Sequence, residues 1–254
     1  MSAGFDWLEE WRAPGICLLA RSKVVPREPL PVGEEFFSPC GLWLLVHGGE
    51  ALLLEAPFAA EDASPILSHL RDFLEANHLW LKFFTVSHLH HDHAAGLGEV
   101  AKAFRRATFV HPEEWLAHRK GRSADNLERC TAAADEAFER GLVFGYDKVW
   151  EFALGGEPVV FLRAPYHSPT DQLVVFRGVA IRPDWHLPSL PGEPVALADA
   201  DPADKRASLR RVLDFNGSYG VHSHLAAHGD GELETDFVRR VELALASLET
   251  GSSS

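Results

Sequence analysis

The chain has 254 residues, with 24 Lys and Arg against 37 Asp and Glu and a formal net charge of −13. That balance argues against a nucleic-acid partner, because phosphate binding needs concentrated cations. With 46% hydrophobic and 24% charged residues it has globular composition, and its length can bury a core without disulfides.

Met1–Arg12 carries Asp6, Glu9 and Glu10 and no apolar core, so it does not read as a secretory leader. Pro26–Pro39 is rich in Pro and Gly and reads as loop. Leu42–His47 and Ala51–Glu55 are apolar runs joined through Gly48 and Gly49, which predicts a β-hairpin. Ser64–Asn77 has helical spacing at Ile66, Leu67, Leu70, Phe73 and Leu74, with Ser64 as N-cap and Pro65 at the first helical position. Leu81–Val86 reads as a buried strand, Leu97–Phe104 as a helix and Thr108–Val110 as a short strand. Pro112–Gly141 is polar and Ala-rich, with Trp115, Leu116, Leu127, Ala134 and Phe138 at loose helical spacing. It predicts two helices that cover the rest, a cover that takes in about residues 112–145, with Phe144 and Tyr146 as further apolar wall. Strands follow at Val149–Ala153, Val159–Arg163, Leu173–Arg177 and Val179–Ile181, then a helix at Asp204–Phe215, a strand at Tyr219–His222 and a helix at Glu234–Leu248. Gly251–Ser254 reads as a flexible tail. This order predicts a layered sandwich, not a doubly wound sheet. No dinucleotide fingerprint or P-loop occurs. No apolar run reaches about 18 residues, so no membrane helix is expected. Cys17, Cys40 and Cys130 form no C-x-x-C pair and suggest reduced thiols and a cytoplasmic location.

The 14 histidines are the compositional oddity. His88-Leu89-His90-His91-Asp92-His93 follows directly on a buried strand and precedes the small residues Ala94-Ala95-Gly96. Several imidazoles and a carboxylate on one irregular loop can converge on a point, and these are ligand types shared by zinc, iron and manganese. A solvated polar turn would not be set between an apolar strand and a tightly packing small-residue run.

The pattern H-x-H-x-D-H followed by Ala94-Ala95-Gly96-Leu97 resembles the signature of the metallo-β-lactamase superfamily. The resemblance covers residues 36 to 245 and implies an α+β, four-layer αββα sandwich, here one domain over 1–254. Glu55, ending the hairpin, stands where the family usually has Asp. Residue by residue, the resemblance implies His167 in Ala164-Pro165-Tyr166-His167 as the next ligand and Asp184, after Val179–Arg182, as a bridging carboxylate. Pro183 stands where Gly is usual before that Asp. The last ligand is open among His224, His228 and His222, with His224 placed first because it follows the predicted strand.

By the same resemblance, His88, His90 and His167 would hold one divalent ion, and Asp92, His93 and His224 (or His228) a second, with Asp184 between them. His91 would stand outside the site, and Tyr166 reads as a packing residue. The ions would be zinc or iron. Asp92 and Asp184 would orient a metal-bound hydroxide. The implied activity is hydrolysis of a small ester, thioester, lactone or lactam. A di-iron or mononuclear iron redox or oxygen-binding protein is the alternative on the same fold. The partner expected is a small-molecule substrate, with no nucleic acid and no membrane; homo-oligomerisation stays open.

Overall fold

A computed structural model of the chain describes residues 5–22, 39–116, 135–139, 141–193, 195 and 200–250. Among these residues the first sheet has seven strands in the order β1-β2-β3-β4-β5-β6-β7. These are β1 Phe5–Ala13, β2 Ile16–Ser22, β3 Gly41–His47, β4 Glu50–Leu54, β5 Trp80–Thr85, β6 Thr108–Pro112 and β7 Leu142–Tyr146. The second has five strands in the order β12-β11-β10-β9-β8. These are β8 Val149–Leu154, β9 Glu157–Arg163, β10 Gln172–Phe176, β11 Val179–Arg182 and β12 Ser223–Ala226. The helices among the described residues include α1 Ala63–Ala76, α2 His91–Ala94, α3 Leu97–Ala103, α4 Pro202–Tyr219 and α5 Phe237–Thr250.

The inner strands are buried on both faces, and their alternation sorts the core into three layers. Leu42, Leu44 and Leu53 turn towards α1 and α3. Trp43, Leu45, Leu52 and Leu54 turn the other way and meet Val159, Phe161, Val174 and Phe176 between the sheets. Val160, Leu162, Leu173 and Val175 face Leu209, Val212, Val241 and Ala244 of α4 and α5. The layers run helix, sheet, sheet, helix, the αββα order expected.

The predicted hairpin is β3–β4, paired from Trp43↔Leu54 to His47↔Glu50. Four features differ from expectation. The first sheet gains β1 and β2 from the N-terminal region. In α1 the N-cap falls on Asp62, because a 3-10 turn at Ala60–Asp62 runs straight into the helix. Ser64-Pro65 therefore lies inside the first turn, where the missing proline N–H costs nothing. Leu142–Tyr146, counted with the helical cover, is strand β7 and pairs in parallel with β6. The rest of the predicted cover, with Leu127, lies mostly outside the described residues; Trp115 and 135–139 are within them. The last strand is Ser223–Ala226, not Tyr219–His222. Helix α4 continues through Tyr219 and ends on Gly220 in the left-handed conformation (φ 60°), a cap suited to glycine.

A buried polar bridge rivets the two sheets near one end. Gln172 Nε2 donates to Thr85 Oγ1 (2.7 Å) and to the Val86 carbonyl, and Tyr146 O–H donates to Gln172 Oε1 (2.6 Å). Thr85 Oγ1 in turn donates to the Val110 carbonyl at 2.7 Å. With its donors and acceptors matched, this bridge fixes the sheets relative to one another where β5 leaves the core.

Candidate metal centre

Four chain segments meet just beyond the bridge. The first leaves β5 at Thr85 and carries His88, His90, Asp92 and His93. Its shape is set by Glu55, which is fully buried at the end of β4 with φ 73°. The Glu55 carboxylate accepts the Ser87 N–H (3.1 Å to Oε1), and its Oε2 lies 3.3 Å from His93 Nδ1. The His93 carbonyl accepts from Ala56 N–H (2.8 Å), and Gly96 N–H donates to the Ala56 carbonyl (2.9 Å). A Cβ on Gly96 would lie 2.4 Å from the Phe58 ring, so only glycine permits this close return of the chain.

The second segment is the turn between β9 and β10, which carries His167. Asp171 organises it. One carboxylate oxygen, Oδ2, accepts the N–H groups of Tyr166 (3.1 Å), His167 (2.6 Å) and Ser168 (3.1 Å), and the indole N–H of Trp185 (2.9 Å). Burial pushes the Asp171 carboxyl up to about 7 in spite of these donors. Thr170 Oγ1 accepts Leu89 N–H at 3.1 Å, tying this turn to the first segment. The Thr170 carbonyl accepts the Trp115 indole N–H at 2.8 Å. Tyr166 is buried, and its hydroxyl donates to the His186 carbonyl.

The third and fourth segments leave β11 and β12, which run parallel with Arg182 matched to Ala226. Two residues further on, Asp184 and His228 therefore stand side by side, with His228 Nε2 3.3 Å from Asp184 Oδ2. The His228 segment is held from the other side by β3: Gly41 N–H donates to the Ala227 carbonyl and Gly229 N–H to the Pro39 carbonyl.

Two ligand sets result. His88, His90 and His167 offer nitrogen atoms within 4.8 Å of one another, and so do the ligand atoms of Asp92, His93, Asp184 and His228. Asp184 reaches both: Oδ2 lies 3.9 Å from His88 Nε2 and from His167 Nε2, and Oδ1 lies 3.3 Å from His93 Nε2. The residues fit a divalent cation on three observations. His88 Nε2 is buried and unpartnered, while its Nδ1 faces Ser87 Oγ at 3.1 Å, the outer bond that usually orients a ligand imidazole. Imidazole nitrogens face each other at 3.0 Å (His93 and His228) and 3.2 Å (His167 and His90). And two carboxylates point into the same space.

The electrostatics agree. For Asp184, burial opposes charge, yet His93, His228 and His88 hold the carboxyl well below the usual carboxylate range. Asp92 is drawn to about 2 against burial, by the His228 hydrogen bond and the charges of His93 and His228. His228, bonded to Asp184 and Asp92, rises to about 11 although burial works against it. His88, buried among other imidazoles, falls well below its ordinary value. This is a pocket that favours positive charge wherever a carboxylate is near.

Every predicted site residue but one is brought together here. The exception is His224. It matches Ala180 across the parallel pair, so its side chain turns towards the α4 and α5 layer, with its ring 5.1 Å from Phe237. Its Nδ1 accepts from Arg182 Nε (3.0 Å) and its Nε2 faces Asp236 (3.5 Å) and Glu234 (3.7 Å). Burial and the Arg182 charge lower it to about 4. With β12 ending at Ala226, the histidine that lies at the cluster is His228, and His224 groups instead with Glu234 and Asp236. His222 stays apart, its Nδ1 2.8 Å from Ser223 Oγ. No short-range sequence pattern marks Cys40, whose buried sulfur lies 3.5 Å from His93 Nδ1, or the part played by Asp171.

The sequence profile described as the Metallo-beta-lactamase superfamily matches residues 81–179, the span that carries His88 to His93 and His167. Among solved structures, a metallo-β-lactamase from Pontibacter korlensis superposes with a TM-score of 0.61 at 15% identity, covering 93% of this chain and 96% of that one. The chain is a metallo-β-lactamase-fold protein. A metallo-β-lactamase family protein from Thermus thermophilus gives 0.59 at 20% identity, over 94% and 80% of the two chains. A flavo di-iron protein variant from Thermotoga maritima gives 0.62 at 13% identity, over 96% of this chain and 62% of that one. By sequence, the chain is 33% identical over 72 residues to a hydroxyacylglutathione hydrolase of Vibrio parahaemolyticus. That match spans 28% of this chain and about a quarter (26%) of the relative.

Proposed function

We propose that the chain is a metal-dependent hydrolase of a small acyl substrate, with a thioester first among ester, thioester, lactone and lactam. The observation that carries the reading is the carboxylate of Asp184, shared between the His88/His90/His167 set and the Asp92/His93/His228 set. Two divalent ions in such a cage would polarise a substrate carbonyl and lower the pKa of a coordinated water towards about 7. The chain's own part is orientation. Asp92 and Asp184, as ionised carboxylates, orient the imidazoles, Ser87 and Glu55 hold the outer nitrogens of His88 and His93, and Asp171 holds the His167 turn. The thioester preference leans on the hydroxyacylglutathione hydrolase match.

A di-iron redox protein is the competing reading, since a flavo di-iron protein shares the fold. Metal analysis of protein purified without added metal separates them. Close to two zinc ions per chain with turnover of an acyl thioester is the expected result. Iron near two per chain, with a spectrum that changes on exposure to oxygen and no thioester turnover, would replace the hydrolase reading.

The last ligand has its own test. His228→Ala should lose about one of two ions per chain, while His224→Ala should keep both. Equal retention of metal in the two variants would remove His228 from the site.

A further inference from the structure

Among the described cations, Arg21, Lys82, Arg163, Arg177, Arg210 and Arg240 each meet a carboxylate. Arg71, Arg105 and Arg106 meet none among the described residues. All three line one cleft of about 570 Å³ between α1, the start of β5 and the end of α3. Its floor is apolar: Leu79, Leu81 and the Phe104 ring, with Trp80 51% exposed at the rim. The Arg71 guanidinium lies over Phe104, 5.6 Å from the ring centroid, so it packs on the floor. Lys102 also lines the cleft but is committed to Glu99 (2.6 Å) and Glu136 (2.7 Å).

This cleft is remote from the metal centre. It opens at Trp80, where β5 begins, whereas the ligand loop follows Thr85, where β5 ends; the strand puts about 20 Å between them at roughly 3.3 Å per residue. Its size falls within the range of small-molecule pockets, about 300–1,000 Å³. Three guanidiniums without carboxylate partners beside an apolar floor make a surface that lacks an amphiphilic anion. Guanidinium forks match a carboxylate bidentately. Glu75 at the rim offsets one cation, and the apolar floor beside the cations favours a carboxylate carried on an acyl body over a bare phosphate.

We propose that this cleft is a second, non-catalytic binding site for a soluble carboxylate on an apolar acyl body, with Arg71, Arg105 and Arg106 meeting the head and Leu79, Trp80 and Phe104 the body. The test is calorimetric titration of the metal-loaded chain with decanoate, with acetate titrated in parallel as the control for carboxylate binding at the metals. Saturable binding is expected, weakened at least tenfold in Arg71→Glu/Arg106→Glu and in the exposed-turn variant Arg105→Glu/Arg106→Glu. Metal content and thioester turnover should stay at the wild-type level in both. Decanol binding as tightly as decanoate, affinity unchanged by charge reversal, or attachment to anionic vesicles without binding of free decanoate would each overturn the proposal. The binding readouts do not depend on the hydrolase reading.

Discussion

Replacing Asp184 with alanine should empty both halves of the proposed centre together. Its two oxygens divide the work: Oδ1 faces His93, and Oδ2 faces His228, His88 and His167. No other carboxylate among the described residues touches both sets, since Asp92 reaches only His93 and His228. Without Asp184 the imidazoles of His88, His90 and His167 are left as an uncharged three-nitrogen site, and the second set keeps one carboxylate. Metal content should fall below one ion per chain by elemental analysis. Thioester turnover should fall about 1,000-fold, since a metal polarising a carbonyl is worth several kcal/mol and about 1.4 kcal/mol is tenfold. Far-UV circular dichroism should stay near wild type, because the sheets are riveted by Gln172, Tyr146 and Thr85, not by this residue. A variant with two ions and ordinary turnover would show that Asp184 is not the shared ligand.

The parts of the site that the sequence makes legible are those fixed by local chain geometry. His88, His90, Asp92 and His93 lie within six residues after an apolar strand, so one loop must deliver them together. His167 and Asp184 each follow a short apolar strand, and the strand ends fix where they go. The last candidate ligand is different in kind. Which histidine arrives depends on where β12 begins, and that depends on how far α4 runs. Helix α4 reaches Tyr219 and is stopped by Gly220, which moves the strand to Ser223–Ala226 and delivers His228 in place of His224. No short-range pattern in Val221–Asp230 carries that information.

The N-terminal strands were hidden for a related reason. In β1 the pairing slips between Trp7 and Glu10, where Glu9 takes φ 50°. A bulge of this kind breaks the two-residue alternation by which an edge strand is recognised. Likewise β7 is short and its first three residues are exposed, so its apolar side chains resemble the wall of a cover. The three-layer sorting of the core, by contrast, was implicit in the continuous apolar runs of β3, β4, β9 and β10, because only strands covered on both faces carry them.

Asp171 shows what a sequence conceals most completely, and its replacement should be the most damaging single change away from the proposed metal ligands. In the sequence it is an unremarked turn Asp. In the fold its Oδ2 is the shared acceptor for four donors: the N–H groups of Tyr166, His167 and Ser168 and the indole of Trp185. Trp185 adjoins Asp184, and His167 contributes to the other set, so this one oxygen ties the two halves of the centre. Asp171→Ala leaves four buried or half-buried donors without that acceptor. An orphaned buried donor costs about 1–3 kcal/mol, so a loss on the order of 4 kcal/mol or more is expected in chemical denaturation. Asp171→Asn keeps a side-chain oxygen and should recover much of the stability. It replaces the carboxylate oxygen that gathers the three backbone N–H groups with a weaker amide acceptor, so the His88/His90/His167 set should still bind metal about 10- to 100-fold more weakly, as outer-shell changes do. Chelator competition reads that affinity separately from the fold. If Asp171→Asn matches wild type in metal affinity while Asp171→Ala is merely less stable, then Asp171 supports the turn without positioning His167. If the affinity falls while the Asn variant keeps its stability, the carboxylate is what places the imidazole.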